Sequence, residues 1–203
     1  MTTRPALRLT AAAGIAALGL LISSCGSQDD PVAQPTPSST APTTSAPTSS
    51  SVVPVSAEDQ AVSEATETVK AFYAAIDRVN IDRNSDTATL QEVSTGEAYL
   101  AQERAAVQMK ARGLTQIGNS QVIDATPFSI DLTTDAAANP PKFPTVVMDT
   151  CLDVSGVNVV DAEGQSVVPS TRPAQTTARL ELVRFDFGWR VTQIASSGEP
   201  CEL

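Results

Sequence analysis

Between Gly26 and Ser56 the chain carries six prolines and thirteen serine or threonine residues, no aromatic residue, and only Asp29 and Asp30 as charges. Such a stretch cannot bury enough apolar surface to offset the entropy of ordering its backbone. It divides the 203 residues into a short leader, a tether and one block long enough for a single core. The boundaries read as 1–24 for a signal segment, 25–56 for a tether beginning at Cys25, and 57–203 for one domain. As a random coil the tether reaches roughly 30 Å, and about 95 Å at polyproline rise. Its composition is compatible equally with O-glycosylation and with an unmodified spacer.

Charge and histidine content then exclude several classes of function. Thirteen basic residues stand against 23 acidic ones, a net charge of −10, and no lysine or arginine cluster breaks the balance. Phosphate backbones would repel such a surface, so no nucleic-acid partner is expected. The chain has no histidine. That removes Ser-His-Asp and Cys-His catalysis, His-ligated zinc and histidine pH switching. No Gly-x-Ser-x-Gly, phosphate loop or dinucleotide fingerprint occurs, so no cofactor is expected.

In the leader, Arg4 and Arg8 precede an almost wholly apolar run from Leu9 to Ile22, and no acid occurs before Asp29. The run falls short of the roughly 20 apolar residues that span a bilayer, and its length suits a secretory signal. It ends Leu21-Ile22-Ser23-Ser24-Cys25-Gly26. These residues resemble the lipobox of bacterial lipoproteins, with Ile22 where leucine is commoner. The resemblance implies diacylglycerol on the Cys25 sulfur, cleavage before Cys25, and further acylation such as palmitate. Two or three acyl chains would hold the protein at the outer face of the cell membrane.

The domain reads as α+β. Ser56 can cap a helix, with Glu58 and Asp59 in its first turn, and Val62, Ala65, Val69, Phe72, Ile76 and Val79 form one apolar stripe. A short helix is expected over Thr87–Val93, capped by Asp86 or Ser85. Ser94-Thr95-Gly96-Glu97 has the spacing of a capping box, and should start a helix that carries Tyr99, Leu100, Val107 and Ala111 and stops at Gly113. After Gly113 the period becomes two: Phe128, Ile130, Leu132, then Val146 to Val154, then Ala178, Leu180 and Leu182. Val157–Val160 and Gln165–Val168 flank Asp161-Ala162-Glu163-Gly164 as a hairpin, and a turn at Phe185-Asp186-Phe187-Gly188 leads into Trp189–Ile194. Two to three helices followed by four to six strands predict helices packed on one face of an antiparallel sheet.

That order, with Val69-x-x-Phe72-Tyr73-x-Ala75-Ile76 and Gly188-Trp189-Arg190-Val191-Thr192, resembles the nuclear-transport-factor-2-like superfamily. The resemblance implies a strongly curved sheet closed by helices into a cone. The whole chain resembles the small lipoproteins that actinobacteria export.

With Cys25 assigned to lipid, Cys151 and Cys201 remain as a pair in an oxidising compartment, so a disulfide is expected. Asp82-x-Asn84-x-Asp86 opens like a calcium loop, but Thr87 replaces the required glycine and Val93 the bidentate carboxylate, so no metal is expected. Enzymes on the resembled fold place a tyrosine, aspartate or histidine in the cone. Tyr73, Asp77, Tyr99 and Asp149 are the residues available for that, weighed against ordinary packing for the tyrosines and solvation for Asp77. Trp189, Phe185 and Phe187 read as core, with a partner-binding rim as the other use.

The chain is therefore expected to be a membrane-anchored envelope lipoprotein whose domain binds an apolar small ligand or an envelope protein. Two alternatives stand beside it. One is a cofactor-free enzyme using Asp and Tyr, which a buried Asp hydrogen-bonded beside Tyr73 or Tyr99 in a pocket would favour. The other is an accessory subunit of an envelope transport or wall-assembly complex. If the apolar faces of 128–132 and 146–154 line a concavity, an acyl or isoprenoid-like ligand would fit it, unless Val69, Phe72 and Ile76 fill the space.

Overall fold

The computed structural model describes residues 55–201. The signal segment, Cys25 and the tether up to residue 54 lie outside the described residues. The domain is α+β, with three helical segments packed against antiparallel sheets of two and four strands, consistent with the expected cone.

Helix α1 runs Ala57–Ile81, and Ser56 caps it by accepting the Asp59 N–H through its hydroxyl at 3.0 Å. Val69 and Phe72 are fully buried, and Tyr73 nearly so. A 3-10 helix follows at Thr87–Glu92, with Asp86 Oδ1 accepting the Ala88 N–H at 2.9 Å. Helix α2 spans Gly96–Ala111 and differs from expectation at both its start and its face. Its N-cap, Thr95, makes no side-chain cap bond, and the Ser94 hydroxyl donates to the Leu90 carbonyl at 2.7 Å, so no capping box forms. Backbone pairing explains this: Val191 N–H donates to Val93 O, and Thr95 N–H to Val191 O, which holds Ser94 alongside Val191. The helix buries Ala98 and Ala106, whereas Leu100 and Val107 are exposed. Small residues let α2 lie close, and the larger ones face outward. Gly113, at φ +72°, ends the helix: its N–H donates to Lys110 O and that of Leu114 to Met109 O.

Strand β1 is Thr115–Ile117, β2 Gln121–Asp131, β3 Thr145–Asp153, β4 Asn158–Val160, β5 Gln175–Phe185 and β6 Gly188–Ser196. The main sheet has the order β2-β3-β5-β6, and β1 pairs with β4 in the small sheet. The Asp161–Gly164 turn forms, but the expected second strand of that hairpin is reduced to a Val160–Ser166 bridge, because β4 takes β1 as its partner. On β3, Val146, Met148, Thr150 and Leu152 face α1 and are buried, with Ala178, Leu180 and Leu182 beside them on β5. Val69 and Phe72 pack into the same cluster, with Ile76 at its margin. Of the two outcomes for the concavity, this is the second: α1 occupies the greasy face as core. Thr150 Oγ1, in that core, has no hydrogen-bond partner among the described residues.

Strand β2 departs from strict alternation. Register shifts fall between Val122 and Asp124 and between Pro127 and Ser129. The second turns Phe128 outward, where it is 60% exposed instead of buried.

The sheet has two distinct ends. One holds Gln121, Asp153 and Gln175; the other holds Asp131, Thr145 and the β5–β6 turn. Near its start, α1 places Glu64 against the second end, accepting from Trp189 Nε1 at 2.9 Å and pairing with Arg184 at 3.3 Å. Near its finish it places Asp77 against Ser120, at the first end. Helix α1 therefore begins at the β5–β6 turn end and runs to the opposite one.

Candidate functional site

The face of the sheet turned away from α1 carries the larger hollow, an open cleft of about 830 Å3. Strand pairing builds its floor in rows. Thr126 lies opposite Asp149, Asp149 opposite Arg179 and Arg179 opposite Ala195; the next row is Asp124, Cys151 and Thr177. Alternation along each strand sends all these side chains outward together.

The carboxyl-terminal segment makes the wall. Cys201 is disulfide-bonded to Cys151, with Cα atoms 5.7 Å apart. Thr177 N–H donates to Glu199 O at 2.9 Å, Ser197 N–H donates to Thr177 O at 3.3 Å, and the two hydroxyls of Thr177 and Ser197 share a 2.6 Å hydrogen bond. A segment that would otherwise fray thus becomes one side of the cleft.

Arg179 grips Asp149 with two hydrogen bonds, Nε to Oδ1 at 2.6 Å and Nη2 to Oδ2 at 2.8 Å. Its guanidinium lies 3.6 Å above the Phe128 ring. Hydrogen bonds from Arg179 hold the Asp149 carboxyl below its ordinary range, and Asp149 in turn raises Arg179. Both side chains are about half exposed, so the pair adds little to stability; the fork and the ring fix its orientation. Beyond the Asp149–Arg179 pair, Asp124 and Glu199 make the cleft acidic, while Thr126, Thr177, Ser196 and Ser197 add hydroxyls to its lining. With Arg179 engaged by Asp149, the described lining leaves no spare cation for an anion.

A smaller hollow of about 420 Å3 lies beside α1, lined by Lys70, Tyr73, Asp77 and Ser120 among others. Asp77, expected to be solvated, is buried at 6% exposure. Its Oδ1 accepts from Gln116 Nε2 at 2.6 Å, and its Oδ2 accepts from the Ser120 N–H at 2.8 Å and hydroxyl at 2.9 Å. The turn between these two donors needs Gly118, at φ +77°, because a Cβ there would fall 2.0 Å from the Gly156 carbonyl oxygen. Burial pushes the Tyr73 phenol up to about 12.

The other acid–base residues do not converge on this hollow. Tyr99 donates to Glu103 Oε1 at 2.7 Å on the surface of α2. Asp149 lies on the opposite side of the sheet. Asp82 Oδ1 accepts the Asn84 N–H at 2.9 Å and Asp86 caps the 3-10 helix, so that stretch is an interhelical turn. Trp189 is buried, whereas Phe187 is 66% exposed, which divides the aromatic cluster between core and rim. Sequence reasoning missed Arg179 and Phe128 as neighbours of Asp149, and Gln116 and Ser120 as partners of Asp77. Opposite charges at outward strand positions were the only signal, and strand pairing was needed to use it.

The described chain is similar to the intermembrane space region of the chloroplast protein ARC6, at 14% identity and a TM-score of 0.47, over 66% of this chain and 95% of that one. It is similar to an aromatic ring hydroxylase-like protein of Novosphingobium aromaticivorans, at 12% identity and a TM-score of 0.38, over 68% and 94% of the two chains. Aln2 from a Streptomyces species gives 14% identity and a TM-score of 0.40, over 68% and 89%. No protein-family model and no curated protein matches the chain.

Proposed function

We propose that this chain is a cell-envelope lipoprotein, held at the outer face of the cell membrane through lipid on Cys25, and that its domain binds a ligand without transforming it. The observation that carries the binding role is the cleft of about 830 Å3 on the outer sheet face, walled by the disulfide-held tail. Its carboxylates and hydroxyls suit a polar ligand bearing hydroxyl groups and an ammonium, such as an amino-sugar oligosaccharide, in preference to the apolar ligand expected from sequence. The greasy face that would have held an acyl chain is packed by Val69 and Phe72.

Titration of the protein with chitosan oligomers and with neutral cello-oligosaccharides tests the reading. Chitosan should bind more tightly and shift the amides of Thr126, Thr177 and Ser197. Asp124→Asn should weaken it about tenfold, the loss of one well-placed charge contact. Binding that leaves those amides unmoved, or that ignores Asp124→Asn, would overturn it.

The enzyme alternative has one observation in its favour, the buried Asp77 beside Tyr73 in a hollow. Three donated hydrogen bonds occupy both Asp77 oxygens, leaving neither turned to a substrate and making the residue a structural tie between α1 and the β1–β2 region. Binding is therefore the reading kept.

A further inference from the structure

The β5–β6 turn end carries an apolar patch that the cleft does not use. Phe185 and Phe187 stack with centroids 5.2 Å apart and planes inclined by 11°, and Phe143 adds its ring 5.6 Å from Phe185. Phe143 is 40% and Phe187 66% exposed. Around them stand Arg190, whose guanidinium lies 4.9 Å from the Phe187 ring, Arg184 above Trp189, and Lys142. Rings that project while long basic side chains surround them match the interfacial zone of a bilayer, where apolar stems sink and charged heads stay wet.

The course of α1 says which surface this patch meets. Glu64 touches Trp189 and Arg184, so the start of α1, about 10 Å earlier at helical rise, lies toward the end that bears the phenylalanines. The tether joins the domain there, at Ser56. We propose that this end, through Phe143, Phe185 and Phe187, rests on the membrane to which the lipid anchor is attached. The proposal rests on the reading of Cys25 as lipidated. Ser56 follows Cys25 by only 31 residues, which keeps the patch near the bilayer at high effective concentration, so a weak contact suffices. The outer-face cleft lies along the sheet from this end and stays open to solvent.

The contact is apolar and not electrostatic. Lys142 is paired with Asp131 and Arg184 with Glu64; Arg190 donates to the Gln91 and Trp189 carbonyls, and Asp186 in the turn balances its charge in the local count. Anionic lipid should therefore add little, and salt should not release the contact.

The test uses the full-length acylated protein in phosphatidylcholine vesicles with brominated acyl chains. In a Trp189→Phe background throughout, which removes the native indole from the same end, Phe187→Trp and, as a second reporter, Phe143→Trp report on the patch. Ile117→Trp reports on the opposite end, since Ile117 is exposed on β1 beside the Gln116–Asp77 contact. Emission from both patch reporters should be quenched at least about twofold more than from Ile117→Trp, equally at low and high salt. Equal quenching at the two ends would overturn the proposal. So would shielding of Phe187→Trp by an added envelope protein and not by lipid, which would reassign the patch to a protein partner. Palmitate labelling of the same preparation separates the two readings: labelled protein with equal quenching defeats only the resting contact, whereas unlabelled protein defeats the anchor.

Discussion

At the scale of single residues, Asp77 links α1 to β1 and the loop after it, 39 and 43 residues further along the chain. Asp77→Ala would leave Gln116 and Ser120 donors facing a void, and should lower stability by about 3 kcal/mol in urea denaturation. Tyr73 sits at the other extreme of polarity. Its phenol is raised to about 12 while an unfolded phenol titrates near 10, so the folded chain holds the proton longer. The stability it contributes is complete below about pH 10 and is lost as pH rises toward 12, on the order of 2 kcal/mol in all. Tyr73→Phe should flatten that alkaline decline, measured by denaturation at stepped pH. Thr150→Val, which removes an unpartnered hydroxyl from the core, should raise stability by about 1 kcal/mol. Tyr73 was placed correctly beside the α1 stripe because helical spacing is local. The fate of Asp77 was not legible, since its partners are distant in sequence and their placement depends on Gly118 fitting its turn against Gly156.

At the scale of elements, the carboxyl-terminal segment depends on one covalent link. Breaking the Cys151–Cys201 bond opens a loop of 50 residues, for which chain entropy gives up to about 4 kcal/mol. Reduction should lower the melting temperature and speed amide exchange at Thr177 and Ser197; two free thiols titrated in the native protein would contradict it. Helix α1, its Ser56 cap and β3 followed their patterns because each has one clear apolar face. Helix α2 did not, since Ala98 and Ala106 bury by being small while Leu100 and Val107 stand clear. Phe128 escaped its strand pattern because the irregular register at Pro127 re-aims it under Arg179. The capping box failed because Val191 recruited the backbone that would have formed it.

For the molecule as a whole, attachment is the first thing to measure. Cys25→Ala should abolish palmitate labelling and leave the protein soluble or as an uncleaved precursor, because a few surface phenylalanines are far weaker than two acyl chains. Labelling unchanged in that variant would remove the anchor from the account. The sheet also bears on how copies behave beside one another. Strand β2, at one border, is interrupted twice and contains Pro127, which has no N–H to offer; β6, at the other, is partnered at its middle by Val93–Thr95. Confined to a plane, neighbouring copies would collide far more often than in free solution. Neither border presents a clean template for the next copy's backbone, so crowding in two dimensions should leave them as separate molecules and not seed a growing ribbon.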